Sequence, residues 1–323
     1  MGSLFICLTP LQTKICMRII ESKKIKKYCV VSFYLYENNK FDYYFNEIER
    51  KSENSLRFYP RKINNIINLF FDVYRFQSKV MSKFQNIFFD DIYLASLDNR
   101  YIQSIVSSLH YKNLYTFDDG LANINYFGSY YQVESLNFIK KKIWSFFGVK
   151  YFTEDVREFS KKHFSIYENK KNIINNVEYI SLFNENIESG VKEYEVFKVF
   201  LGTPLGELKG NFNYEMLNKL LIKLGINNYF PHPREKYLLS KSINILETDK
   251  IFEDYILDFY LMNNYKKIEI YSFCSTVILN LNFLDFINSI IIVKEGMFES
   301  DVVSLFDDFN VMKLNWNTVF DLI

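Results

Sequence analysis

The sequence predicts an α/β protein built on parallel sheets. Three observations carry this. An apolar run, Leu4–Leu8, is followed by a helical stretch and then a second apolar run, Tyr28–Leu35. Strand, helix, strand in that order is the unit from which parallel sheets are made. The same alternation restarts at Val196 and continues to Val293. Lastly, strands in the second half end on small or polar residues and turn straight into a helix, at Gly202-Thr203 and at Ser275-Thr276.

Each element has a local reason. Thr9-Pro10 supplies a hydroxyl N-cap and a proline at the first helical position, where a missing N–H is harmless. Leu11–Ile20 then carries apolar residues at helical spacing. Phe41–Arg50 is expected to be helical, and Ile63–Phe84 a basic amphipathic helix. Ile92–Ala95 is a strand, Asn99–Leu109 a helix, and Asn113–Phe117 a strand that ends on Asp118-Asp119-Gly120. Residues 125–190 are polar, aromatic and less regular, and read as a connector. Beyond it, Val196–Leu201, Asn228–Phe230, Ile243–Leu246, Lys267–Ser272 and Ile287–Val293 read as strands. Phe212–Leu224, Ile251–Leu261 and the stretch from Val277 to Leu284 read as helices. Ser300–Ile323 is expected to be helical, with the option of crossing back to the first domain. The length of 323 residues suits two domains, placed at 1–190 and 191–323.

Composition removes several function classes. With 39 basic and 38 acidic residues the net charge is +1, unlike the concentrated basic face of a nucleic-acid binder. The four cysteines, Cys7, Cys16, Cys29 and Cys274, form no Cys-x-x-Cys pair and read as buried thiols of a reducing cytoplasm. The apolar stretch Leu4–Leu11 is too short, and lacks the basic flank, for a signal peptide. No apolar run is long enough for a membrane-spanning helix. The basic, aromatic stretch Phe138–Phe147 reads either as core packing with lysines turned outward or as contact with an anionic membrane surface.

The chemistry-bearing residues cluster at predicted strand ends. His232, one of three histidines, sits between Pro231 and Pro233, which hold it in extended geometry. An imidazole exchanges protons near neutral pH, and Arg234 two residues on has a fork suited to phosphate or carboxylate. Thr203, Ser275 and Thr276 add hydroxyls at helix starts, where backbone N–H groups favour phosphate. These sites and His232 fall on one edge of one predicted sheet. The pair Asp118-Asp119 ends a first-domain strand and reads either as a general base with its neighbour or as a capped turn. Adjacent acids also occur at Asp90-Asp91 and Asp307-Asp308. No P-loop and no Gly-x-Gly-x-x-Gly is present.

Taken in order, several pieces carry a family resemblance. They are Phe5-Ile-Cys with Thr9 and Leu11-Gln12; Phe41-Asp-Tyr-Tyr-Phe-Asn46; Ile92-Tyr-Leu-Ala-Ser-Leu97; and Thr116-Phe-Asp-Asp-Gly120 with Asn123. They continue through His163 and Ile166; Leu201-Gly202, Pro204 and Glu207; Pro231-His-Pro-Arg234; Glu253-Asp-Tyr-Ile256; and Tyr271, Phe273 and Ser275. Over about residues 4–285 the chain resembles the bacterial family 52 glycosyltransferases, the lipooligosaccharide α-2,3-sialyltransferases of Neisseria and Haemophilus type.

The resemblance implies a GT-B architecture, with two Rossmann-like domains facing across a cleft. It implies an inverting transfer of N-acetylneuraminic acid from CMP-Neu5Ac to a terminal galactose of a cell-surface glycan, without a metal or other cofactor. On this reading His232 stabilises or protonates the departing CMP phosphate, held also by Ser275, Thr276 and Thr203. Glu253 or Asp254 takes the cytidine ribose or base. Thr9, Gly202, Pro204, Arg234 and Phe273 match donor-side positions, and Asn123 and His163 acceptor-side ones. The turn after the first strand of the second domain holds the proposed catalytic Asp in relatives, but here it holds Leu205. Asp118, Asp119 and Glu207 remain as base candidates, and Asp118 is the expectation, by analogy with acidic-acidic-Gly motifs of other GT-B sialyltransferases. The family also suggests a homodimer; the membrane segment of some relatives is missing here, so a cytoplasmic enzyme is expected whose contact with the inner face of the cell membrane, where it occurs, is peripheral. Two other readings stay open: a different donor sugar (a glucosyl- or polysialyltransferase), and a protein that binds glycan or nucleotide without catalysis.

Overall fold

The computed structural model describes residues 2–35, 37–132, 136–183, 194–210, 212–263, 265–273, 275–297 and 300–321. The chain divides into two compact units, Met1–Glu185 and Asn186–Ile323. The expected boundary at 190/191 lies outside the described residues.

In the first unit the strands are β1 (Ser3–Cys7), β2 (Tyr28–Phe33), β3 (Asn54–Phe58), β4 (Phe88–Leu94), β5 (His110–Phe117), β6 (Ser160–Ser165) and β7 (Val177–Tyr179). The helices are α1 (Pro10–Ser22), α2 (Asn39–Arg50), α3 (Ile66–Phe84), α4 (Arg100–Val106), α5 (Phe138–Phe146) and α6 (Thr153–Phe159). The sheet order is β3-β2-β1-β4-β5-β6-β7, parallel throughout. Chain order reverses between β1 and β4, and a doubly wound sheet binds ligands beyond the carboxyl ends of its strands at such a point.

The termini of these elements follow from sequence chemistry. Thr9 caps α1 by accepting from Gln12 N at 3.2 Å, with Pro10 in the first turn. Asn38, Asn65, Asn99 and Asn137 cap α2, α3, α4 and α5 in the same way. One face of the sheet buries Leu4, Ile6, Val31, Phe33 and Leu94 against Val73, Phe76 and Val80 of α3. Rings of Phe33, Phe58, Phe76 and Tyr101 meet edge to face or tilted, with centroids 4.6–6.1 Å apart. Truncating a fully buried ring such as Phe76 to alanine costs about 3–5 kcal/mol.

The second unit contains β8 (Tyr194–Leu201), β9 (Asn228–Phe230), β10 (Asn244–Ile245), β11 (Tyr265–Ser272), β12 (Ile287–Val293) and β13 (Met312–Asn315). Its helices are α7 (Tyr214–Lys223), α8 (Phe252–Met262), α9 (Val277–Leu281), α10 (Ser300–Asp307) and α11 (Trp316–Asp321). The order β10-β9-β8-β11-β12-β13, again all parallel, repeats the plan of the first sheet, with its reversal between β8 and β11.

The structure departs from the sequence reading in several stretches. Strand β3 was not foreseen, because its burial is partial and its sequence, Asn-Ser-Leu-Arg-Phe, does not alternate. The expected connector instead contains α5, α6, β6 and β7. Strand β6 begins Ser-Lys-Lys-His and reads as loop by composition, but its His163 satisfies buried polar groups instead of meeting solvent. The C-terminal stretch is interrupted by β13, and Trp316 and Val319 pack in the second unit's own core. Cys7, Cys16 and Cys29 are buried free thiols as expected, and Cys274 lies outside the described residues.

Candidate active site

In the first unit a polar cluster forms beyond the carboxyl ends of β1, β4 and β5. Gln12, in the first turn of α1, ties it together. Its Oε1 accepts from Leu8 N at 2.8 Å, and its Nε2 donates to Asp119 Oδ1 at 2.8 Å and to Ser96 Oγ at 3.0 Å. Ser96 Oγ donates to Asp119 Oδ2 at 2.6 Å, from a backbone at φ 54° that a non-glycine residue rarely adopts. The Tyr130 hydroxyl accepts from Leu97 N at 3.0 Å and lies 3.4 Å from Asp119 Oδ2. Burial drives its phenol pKa well up, so Tyr130 stays a neutral hydrogen-bond partner. Asp119 is thus a half-buried carboxylate fixed by neutral donors, with part of its surface open.

Asp118 has the opposite environment. It is fully buried, with Oδ1 at 2.9 Å from His163 Nε2 and Oδ2 accepting from Ser165 Oγ at 2.8 Å and Ile166 N at 2.7 Å. His163, itself fully buried, meets Thr116 Oγ1 through Nδ1 at 2.9 Å. This network locks β6 to β5. Two residues singled out in the sequence are thus placed away from solvent: Asp118, expected as the base, is fully buried, and His163, expected on the acceptor side, is a buried strand-to-strand link. Asn123 is also fully buried. Its Oδ1 accepts from Asp119 N at 3.4 Å, while its Nδ2 has no partner among the described residues. Thr9 is occupied as the cap of α1.

The second unit presents its own edge beyond β8, β9 and β11. Gly202 ends β8, and its N–H donates to Phe230 O at 2.8 Å. A Cβ at Gly202 would collide with Glu235 Oε2 and come within 2.7 Å of the Tyr229 hydroxyl and 3.0 Å of His232 N. Only glycine permits that approach. Glu235 accepts from the Tyr229 hydroxyl at 2.6 Å, the Tyr214 hydroxyl at 3.0 Å and His232 N at 3.1 Å. Burial raises its pKa, although the hydrogen bonds from Tyr229, His232 N and Tyr214 pull the other way. The His232 backbone is therefore anchored by a carboxylate from within its own loop. Sequence reasoning missed Glu235, although it directly follows Pro-His-Pro-Arg and was legible as an acid adjoining the motif.

The imidazole is fixed as well. Arg234 N donates to His232 Nδ1 at 3.1 Å, which leaves Nε2 to carry the ring proton in the neutral form. Arg234 is engaged with Glu207, Nη1 to Oε1 at 2.7 Å and Nη2 to Oε2 at 3.2 Å. That two-pronged pair occupies both the expected phosphate arginine and one of the base candidates. Both side chains are about half exposed, so the pair is readily exchanged for a ligand.

The remaining donor-side expectations separate. Ser275 N donates to Ser272 Oγ at 2.9 Å, which sets the turn that carries the Ser275 and Thr276 hydroxyls; Thr276 is exposed. Thr203 and Pro204 are half-buried beside Gly202. Glu253 is buried and accepts from Asn280 Nδ2 at 2.8 Å, linking α8 to α9, while Asp254 beside it is half-buried. Phe273 is a core residue, 1% exposed, with its ring 5.2 Å from Phe200, and not a ligand-facing aromatic. Leu205 opens a single 3-10 turn and points into the second core at 6% exposure, where it serves as an apolar anchor.

Comparison with known proteins identifies the family and agrees with the fold. The profile described as glycosyltransferase family 52 matches residues 26–294. The chain belongs to this family. Among its relatives, an N-acetyllactosaminide α-2,3-sialyltransferase of Haemophilus influenzae is 33% identical over 86% of this chain and 88% of its own length. A CMP-N-acetylneuraminate:β-galactoside α-2,3-sialyltransferase of Pasteurella multocida is 30% identical over 86% and 87%. Of solved structures, LpCGTa in complex with UDP superposes with TM-score 0.56 at 9% identity, covering 98% of this chain and 85% of that one. A UDP-N-acetylglucosamine 2-epimerase gives TM-score 0.51 at 11% identity, covering 100% and 86%. The family 52 chain therefore has the GT-B type of α/β fold, with two parallel sheets, and it is a glycosyltransferase.

Proposed function

We propose that this family 52 enzyme transfers N-acetylneuraminic acid from CMP-Neu5Ac to a terminal β-galactoside of a cell-surface glycan, with inversion and an α-2,3 linkage. The observation that carries the reading is the kinship, over most of the chain, with proteins named for that reaction. The two polar clusters have the chemistry it requires. As the sugar–phosphate C–O bond breaks, charge grows on the CMP phosphate, and His232 Nε2–H donates to it with the hydroxyls of Ser275, Thr276 and Thr203. Arg234 is close by in sequence and is held by Glu207 until ligand arrives. Asp254, more open than the buried Glu253, takes the cytidine ribose or base.

On the acceptor side, Asp119 takes the proton of the attacking galactose hydroxyl as its oxygen bonds to the anomeric carbon. Gln12, Ser96 and Tyr130 hold the carboxylate in one orientation for that step. Asn123 Nδ2 is a buried donor beside it. The mechanism calls on no metal, because one departing phosphate is served by hydrogen bonds, and chelation with EDTA should leave turnover unchanged. Among the described residues no helix is long and apolar enough to cross a membrane. The reading puts the enzyme in peripheral contact with the inner face of the cell membrane, where glycan precursors are built.

The test is to incubate the protein with CMP-Neu5Ac and lactose and follow CMP and sialyllactose. The proposal expects both in equal amounts. Release of CMP without sialyllactose would shift the acceptor. No CMP release from folded protein would favour another donor, or the binding-only reading that the apolar Leu205 invites.

A further inference from the structure

One face of the first unit is apolar, exposed and basic. On α3, Ile67 and Phe71 are 58% and 59% exposed; on α5, Phe138, Ile139 and Phe146 are 71%, 68% and 82% exposed. Isolated exposed apolar side chains are ordinary, but here Phe71 and Phe146 are joined through Phe147. The Phe71 ring lies 5.6 Å from Phe147, which lies 5.2 Å from Phe146. Beneath them Phe70 anchors the two helices, 4.3 Å from Trp144 and 4.9 Å from Phe147. A block of three lysines lies between Phe138-Ile139 and the rings of Trp144, Phe146 and Phe147 in the sequence. Lys140, Lys141 and Lys142 are all exposed, and the Lys142 ammonium sits 4.5 Å over the Phe138 ring.

The charge on this face has one sign. Between residues 136 and 150 no acidic residue occurs, and the one acid between residues 61 and 84, Asp72, is buried and paired with Arg75. A two-fold axis through this patch would set it against itself and bring its lysines together with no carboxylate to meet them. A layer of anionic lipid headgroups matches it, with the rings reaching the acyl boundary.

We infer that the α3–α5 face docks on a bilayer of anionic phospholipid, with Phe138, Ile139, Phe146 and Phe71 inserting and Lys140–Lys142 at the headgroups. This deepens the peripheral placement proposed above and stands whichever sugar is transferred. It fixes a surface that keeps the enzyme where membrane-linked acceptors are presented.

Vesicle sedimentation with the full chain tests it. Wild type should pellet with phosphatidylglycerol-containing vesicles, pellet far less with pure phosphatidylcholine, and detach as salt rises. The double substitution Phe138→Ser with Phe146→Ser should weaken binding at least about tenfold. Replacing Lys140, Lys141 and Lys142 by Ser should weaken it by about fivefold per lysine and remove the preference for anionic lipid. All these side chains are exposed, so melting temperature and turnover on soluble lactose should stay at the wild-type level. Wild type that ignores vesicles, or variants that bind as well as wild type, would overturn the inference. So would a Phe138→Ser, Phe146→Ser variant that falls from dimer to monomer in sedimentation velocity, which would make the face a contact between copies. Vesicle binding without sialyl transfer would sink the proposed donor and leave this surface standing.

Discussion

His163 Nε2 lies 2.9 Å from Asp118 Oδ1 with both side chains fully buried, while the next residue, Asp119, is half-buried and faces a cluster of neutral donors. Two adjacent acids thus do unlike work. One ties β6 to β5, and the other is available for chemistry.

Asp118→Asn should therefore act on stability. It leaves Ser165, Ile166 N and His163 facing an amide, and a buried donor without its acceptor costs about 1–3 kcal/mol. Urea unfolding should register that loss. A variant as stable as wild type but inactive would return Asp118 to catalysis.

Asp119→Asn should do the reverse. Losing a general base lowers turnover by about a hundredfold or more. CMP binding should change little, and the unfolding midpoint should fall less than in Asp118→Asn, because Asp119 is half-buried where Asp118 is fully buried. Calorimetric titration with CMP alongside steady-state rates separates these effects. Full activity in Asp119→Asn would remove it as the base.

Gly202→Ala should disturb the His232 loop. The added Cβ meets Glu235 and the Tyr229 hydroxyl and sits 3.0 Å from His232 N, an overpacking worth about 1–3 kcal/mol. Thermal melting should fall and turnover with it. An unaltered enzyme would mean that the Glu235 anchor does not set the loop.

Glu235 also predicts a pH effect. Burial raises its folded-state pKa above the ordinary 4.5, so the folded chain holds this proton more tightly than the unfolded one. Its contribution is fully present below that ordinary value and is lost as pH rises through the higher folded value. The melting temperature of wild type relative to Glu235→Gln should decline across that window. A difference independent of pH would contradict the raised value.

Much of this was legible in the sequence because the signals are local. The Thr9 cap, the Pro10 start and the caps at helix heads need only neighbouring residues. The stiff Pro231-His232-Pro233 segment was also visible as a short motif, whereas the helix expected straight after Gly202-Thr203 is absent: only the 3-10 turn Leu205–Glu207 follows, and α7 begins at Tyr214. What escaped depended on contacts distant in the chain. Which of Asp118 and Asp119 is buried is decided by His163, 45 residues from Asp118. Gln12 reaches Asp119 across 107 residues. Phe273 and Leu205 turned inward because the core beside them required apolar volume, which no spacing rule reveals.

His232 carries the central claim, and a crystal soaked with cytidine monophosphate tests it most directly. The account predicts phosphate density within hydrogen-bond distance of His232 Nε2 and the Ser275 and Thr276 hydroxyls, with loss of that density in His232→Ala. Nucleotide bound away from residue 232, or bound unchanged in the alanine variant, would contradict it.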